Sequence, residues 1–399
     1  MHQRFSPFLM ASLLGSFFPG AGRADDALPP DANTQCPVMT KKKVKPTLYV
    51  DYEGHRIFVC CKKCVRKFPE DPKKYLANLP PLDKLPKSPG VVPAVVKGSD
   101  KSSAPLPPPP YEIRNRDDAV TVTDPDRREV LRYVRTKPKD SPLSVESAGY
   151  FHPLTTPAGV AVTDVAPDDH RHHRGIFLAW VEMHGRKDAD FWGWGEHAPK
   201  ENRKIVNRSA QPVDAGFQTA SFRIRNAWEA EGDPLVLEDL TASVRQVGKA
   251  RVLDLEYSLT ADADLTLSRW AFSGFCLRTR KDGEATAAGP EGPVNLPAPN
   301  HMDPASDWPA AAWYGYDLKL PDGKTVGAAV IDHPKNPPSL WHNVVGIRML
   351  NPCIVAPGEV KLKANEPLVL RYRVVAVDGA LDAKSMNTLA EEFRNPTAR

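Results

Sequence analysis

The chain has 399 residues, room for two domains of unequal size. Its 41% hydrophobic and 26% charged residues describe a folded globular protein and exclude a disordered one. A net charge of +4 at pH 7 is too slight to argue for nucleic acid as a partner.

The first residues read MHQRFSPFLMASLLGSFFPGAGRADD: a basic start at Arg4, an apolar run from Phe5 to Phe18, then small residues from Ala21 to Ala24. That pattern predicts a signal peptide over residues 1–24, a mature chain from Asp25, and a periplasmic or secreted protein. The apolar run is shorter than the ~20 residues of a spanning helix, and nothing later approaches that length. No membrane span is expected after cleavage, and no cysteine stands at the cleavage point to carry a lipid.

Residues 33–79 form a small cysteine-rich module. Cys60, Cys61 and Cys64 cluster in FVCCKKCVRKFPEDPKKY, and Cys36 stands upstream in CPVM. Between them, LYVDYEGHRIFVC predicts two short strands about Glu53-Gly54, and VRKFPEDPKKYLANL a helix broken by prolines. Thiolates suit zinc and copper, and a helix start lowers a thiol's pKa. In an oxidising compartment these thiols could equally form disulfides, Cys36 with Cys60 or Cys61, and Cys276 with Cys353. Adjacent Cys60 and Cys61 pair poorly with each other. Eleven lysines and arginines against four acidic residues give the module a surplus of seven positive charges. That describes a solvated basic face, or docking to an anionic envelope polymer.

The elements CPVM, YEGHRIFVCC, the cysteine three residues on and FPEDPKKYL resemble the YHS family and its TRASH metal-sensing relatives. The resemblance implies a zinc or copper site at Cys36, Cys60 and Cys64, with Cys61 as an additional thiol. Thr40 stands where relatives often carry glycine.

Residues 80–110 contain ten prolines and end in APLPPPPYE. Proline fixes φ and lacks a donor, so this stretch predicts an extended, semi-rigid spacer. From 111 to 396 the chain reads as strands. Phe222, Ile224 and Trp228 share a parity, and Leu253, Leu255, Tyr257 and Leu259 alternate with Asp254, Glu256 and Ser258. GYDLKLPDGKTVGAAVID predicts a hairpin turning at Pro321-Asp322-Gly323. A helical pattern appears only in SMNTLAEEF. The fold class expected is mainly β: a large antiparallel β-sandwich, preceded by the small α+β module.

Six of the eleven histidines fall between 152 and 197. DDHRHHRG places His170, His172 and His173 beside Asp168, Asp169 and Arg174. A strand would send His173 to the opposite face from the other two, so a loop is expected. His152, His170, His172, His173, Asp332 and His333 are expected to converge as an acid–base site, because imidazoles and carboxylates buried separately cost desolvation. Trp192 and Trp341 would form apolar walls, with Arg174 and Asn336 holding a ligand; a saccharide or uronic acid suits this mixture. His184, standing alone, reads as an ordinary surface or core residue.

YFHPL, DDHRHHRG, DFWGWG, IDHPKNPPSLWH and LRYRVVAVDG resemble a bacterial family of unknown function labelled PmoA, or methane oxygenase. A membrane-bound methane monooxygenase subunit needs several long apolar helices, which this chain lacks. Relatives carry an acidic, lysine-containing segment where this chain reads TLSRWAFSGFCLRT; if that segment supplies chemistry in them, the departure implies binding without turnover here. Three classes of function remain open: a carbohydrate-active enzyme, a metal-handling protein, and a non-catalytic envelope binding protein.

Overall fold

The computed structural model describes residues 28–52, 55–86 and 111–395, so the signal-peptide segment and most of the proline spacer lie outside the described residues. The chain divides between 107 and 108 into two compact units.

In the small unit, strands Tyr49–Tyr52 and His55–Phe58 pair antiparallel and lead into helices Lys62–Glu70 and Pro72–Leu76. Pro72 opens the second helix, where a missing N–H costs nothing, and the Asp71 carboxylate accepts from Lys74 N at 3.3 Å. Val50, Ile57, Phe68 and Leu85 close the core. The proline-rich region therefore starts later than its composition suggests: Leu85 is buried and Pro86 accepts from Arg56 N.

The large unit is an antiparallel β-sandwich. One sheet has nine strands in the order Gly292–Val294, Glu284–Gly289, Trp313–Lys319, Thr325–Asp332, Leu368–Asp378, Ala250–Ala261, Asp233–Val247, Thr219–Ala230 and Arg203–Ala215. The other has seven, in the order Met349–Leu350, Gly274–Arg278, Ile176–Ala179, Tyr150–Leu154, Glu129–Val134, Ala119–Thr123 and Glu112–Asn115. The period-2 pattern explains their facing surfaces: Leu253, Leu255, Tyr257 and Leu259 are all buried while Glu256 is exposed. Aromatic rings bridge the layers. Phe151 meets Phe222 at 6.4 Å between centroids, and Phe275 stacks on Tyr372 at 4.1 Å. Each ring buried this way contributes about 1.5–3 kcal/mol.

Alternate residues of the nine-stranded sheet face outward, and helix Ala383–Arg394 covers them. Met386, Leu389 and Ala390, spaced i, i+3, i+4, pack with Trp313, Ile331 and Val375. The Asp382 side chain caps this helix by accepting from Ser385 N at 2.8 Å. Among the described residues no helix is long and apolar enough to cross a membrane.

Candidate functional site

The sandwich site is built on loops. After strand Tyr150–Leu154 the chain turns twice, with His170 N bonded to Pro167 O and His173 N to His170 O, both at 2.9 Å. These turns gather the three imidazoles as a strand could not. His170 stacks on His173 at 4.8 Å, and His172 meets the His173 ring edge-on at 4.6 Å. Burial pushes the pKa of all three down, His172 to about 3, where the charges of His170 and Arg174 add to the effect. The rings are therefore neutral at pH 7, each a donor and an acceptor.

The DFWGWG turn closes over them. The buried Asp190 carboxylate accepts from Gly193 N at 2.7 Å and Gly195 N at 2.5 Å, and burial raises its pKa to about 6. Gly193, at φ +107°, has no alternative: a Cβ there would lie 2.3 Å from Val145 Cγ1 and 2.9 Å from His172 Cβ. The turn lays Trp192 and Trp194 against His172, each at 6.4 Å between centroids.

From the indoles the cluster runs on through Phe272, which touches Trp192 at 5.7 Å, Trp194 at 5.2 Å and His342 at 5.5 Å. His342 Nδ1 bonds Asp307 Oδ1 at 2.6 Å, with both side chains buried. His301 lies on Trp194 at 5.8 Å, and His197 on Trp270 at 4.3 Å. Buried polar atoms without a hydrogen-bond partner among the described residues include His170 Nδ1, His172 Nε2, Arg174 Nε, Trp192 Nε1, Trp194 Nε1, Asp307 Oδ2 and Asn343 Nδ2.

Several expected site residues stand elsewhere or act differently. His152 bonds Thr163 Oγ1 at 2.9 Å, with Asp164, Arg132 and Glu129 as its charged neighbours rather than the other histidines. Asp332 spends its oxygens on Asn336 Nδ2 at 2.7 Å and Ser339 Oγ at 2.6 Å, stapling the loop that follows it. Asn336 also exchanges bonds with the Arg371 backbone, a structural role. His333 accepts from Lys335 N and packs on Phe393 of the C-terminal helix. Arg174 cannot hold a ligand, because it is fully buried and donates to the carbonyls of His172, Trp192 and Phe191. Trp192 and Trp341 are fully buried, Trp341 beside Tyr314, so neither offers an open face. Trp194 and Trp270, partly exposed, do. Of the six residues expected to converge, the structure gathers His170, His172 and His173.

No pattern in the sequence marks Asp307, Phe272 or Trp270. Phe272 and Trp270 lie in the segment that departs from the resembled family, and the Asp307–His342 pairing spans 35 positions without a motif. A cavity of about 270 Å³ lined by Thr286, Gly292, Trp313, Asp317 and Ala383 carries no histidine and is a separate feature.

In the small unit Asn33 mimics a strand rung, donating to Phe58 O and accepting from Phe58 N, both at 2.8 Å. This ties the segment before CPVM to the end of strand His55–Phe58. The turn after Cys36 closes through Lys42 N to Met39 O at 2.8 Å, with Thr40 accommodated. The ligand atoms of Cys36, Cys60 and Cys64 all lie within 4.8 Å of one another, and no other such trio of His, Cys, Asp or Glu occurs among the described residues. Cys61 Sγ is 3.4 Å from Cys64 Sγ. All six cysteines are free thiols. The Cys64 N–H holds the Cys61 thiol below its ordinary value, while burial pushes Cys64 up. An all-sulfur trio at this spacing fits a thiophilic ion.

The large unit is thus an antiparallel β-sandwich that carries a loop-built imidazole and indole site. The chain belongs to DUF6807, a family of unknown function, whose profile matches residues 120–391. That match lies outside the cysteine module, and its family is named neither YHS nor PmoA. No curated protein matches the chain. Among solved structures, a galactose mutarotase related enzyme from Lactobacillus acidophilus is 8% identical, over 68% of this chain and 98% of that one, with a TM-score of 0.32. The α-galactosidase AgaA from Geobacillus stearothermophilus, a family GH36 enzyme, is 9% identical over 71% of this chain and 43% of its own, with a TM-score of 0.36. An α-galactosidase from Lactobacillus brevis is 9% identical over 67% and 40%, with a TM-score of 0.33. The chain spans less than half the length of the two galactosidases. Likenesses at these TM-scores bear on neither fold nor activity.

Proposed function

We propose that the protein is exported and that its sandwich binds a saccharide at the face of Trp194 and His172, backed by the buried Phe272 and His342. The observation that carries this reading is the partly exposed Trp194 ring, which lies 6.4 Å from His172 and 5.2 Å from Phe272 between ring centroids. Indole N–H groups donate, and the imidazole nitrogen and carboxylate oxygen accept. A sugar hydroxyl does both, and the partly exposed Trp194 ring suits the apolar face of a pyranose. With Arg174 spent on carbonyls, a neutral sugar fits better than a uronic acid. The Asp307 carboxylate fixes His342 at Nδ1 and leaves Nε2 for proton exchange, which supports acid–base chemistry on that ligand.

The test is saturation-transfer NMR of the full chain against a panel of neutral mono- and oligosaccharides, with anomeric exchange and hydrolysis followed alongside. Binding lost in Trp194→Ala supports the site. Turnover lost in His342→Gln with binding retained makes the protein an enzyme; binding without turnover makes it a binding module. No binding across the panel ends the saccharide reading.

The thiol trio supports a second activity. We infer that the small unit binds a zinc or copper ion through Cys36, Cys60 and Cys64. The ion's part would be to hold these segments together or to be carried as cargo. Cys36→Ser in the reduced full chain should abolish stoichiometric binding; unchanged binding would refute the assignment.

A further inference from the structure

We propose that Met39 supplies a thioether as the fourth sulfur of the thiol cluster, and that the completed set selects monovalent copper over zinc. This rests on the thiolate reading of Cys36, Cys60 and Cys64, and it adds both a ligand and an ion identity. Met39 sits on the tight turn that follows Cys36, and its Sδ lies 3.9 Å from Cys60 Sγ. Its side chain is 45% exposed, although methionine gains from burial. The Cys60 and Cys64 sulfurs are 3.7 Å apart. An ion about 2.3 Å from each sulfur would hold neighbouring sulfurs roughly 3.8–4.0 Å apart, so the Met39 and Cys60 separation is that of two ligands of one centre.

The donor chemistry chooses between the ions. Zinc accepts all-thiolate sets, so the cysteine trio alone suits either ion and the thioether makes the difference. A neutral thioether adds little for zinc, which is bound by thiolate, imidazole and carboxylate, whereas copper(I) is matched by Cys and Met sulfur. The surroundings act in the same direction. Lys41, Lys42, Lys43, Lys62 and Lys63 are exposed around the CPVM turn and the helix start. Coulomb repulsion from these lysines scales with the ion's charge and penalises a dication twice as much as a monocation. Cys36 and Cys64 are buried, while Cys60, Cys61 and Met39 are at least partly exposed. An ion would therefore enter and leave on the Met39 side.

The experiment uses the reduced full chain under anaerobic conditions, titrated with copper(I) against a chromophoric copper(I) chelator, and with zinc(II) against a zinc indicator. X-ray absorption of the copper(I) form counts sulfur neighbours. We expect Met39→Leu to weaken copper(I) on the order of tenfold, to leave zinc(II) within about twofold, and to remove one sulfur from the absorption fit. Equal effects on both ions, or no effect on copper(I), overturn the role of Met39 while the thiol trio stands. Failure of the unsubstituted chain to bind either ion overturns the trio as well.

Discussion

His172 makes the sandwich acid-labile by a calculable amount. Its imidazole is pushed from 6.5 to about 3, first by burial and then by the charges of His170, Arg174, Lys200 and Arg278. The folded state therefore refuses a proton that the unfolded chain accepts below pH 6.5. Stability is fully present above that value and is lost as pH falls toward 3. Between pH 6.5 and 5.0 the loss is 1.5 pH units at about 1.36 kcal/mol each, an upper figure of about 2 kcal/mol, since part of the residue stays accessible to solvent. All eight tryptophans lie between 180 and 341, so indole fluorescence follows the large unit alone. Urea unfolding should be run at pH 7.5, 6.5, 5.5 and 5.0 on the natural chain and on His172→Asn. The natural chain should lose up to about 2 kcal/mol more than the variant across this range, with unchanged denaturant slope. Parallel losses in the two proteins would refute the argument and show that His172 is protonated without penalty.

Gly193→Ala should destabilise the large unit by about 1–3 kcal/mol and expose Trp194, because a side chain at φ +107° meets Val145 and His172; an unchanged urea midpoint would refute the close packing of that turn. Arg278 is buried between Asp169 Oδ1 at 2.8 Å and His173 Nδ1 at 3.1 Å, while Asp169 also keeps Lys281 Nζ at 2.7 Å, so Arg278→Met should cost about 1.5–3 kcal/mol for the lost charged hydrogen bonds, measured by the same unfolding assay. In ¹⁵N NMR the His342 ring should show a single tautomer protonated at Nδ1, and Asp307→Asn should give mixed tautomers; the same spectrum in both proteins would remove Asp307 as the orienting group.

Strand parity was legible because a half-buried strand writes its inner face at every second residue, as Leu253 to Leu259 show. The hairpin at Pro321-Asp322-Gly323 was legible from turn chemistry, and the strands on either side pair as Trp313–Lys319 and Thr325–Asp332. The order of the sheets was not, because the strand at Leu368–Asp378 pairs with both Ala250–Ala261 and Thr325–Asp332 across long separations that leave no local mark. The site divides in the same way. Three imidazoles within four positions require a loop, and the loop follows from side-chain geometry alone. Whether an arginine or tryptophan beside them faces a ligand depends on which carbonyls and rings the rest of the chain brings up. Arg174 is consumed by Phe191 and Trp192 carbonyls, and Trp192 is sealed by Phe177 and Phe272. The residue types that suggested a sugar clamp are thus the ones that build the frame of the loop. The partly exposed indole is instead Trp194, two positions along the same turn. In the small unit the reverse holds: Cys60, Cys61 and Cys64 are brought together by a helix start, so their spacing in the sequence already specifies their spacing in space. Only Cys36 and Met39 had to be delivered by the Asn33 tie to Phe58, which no pattern of thiols announces.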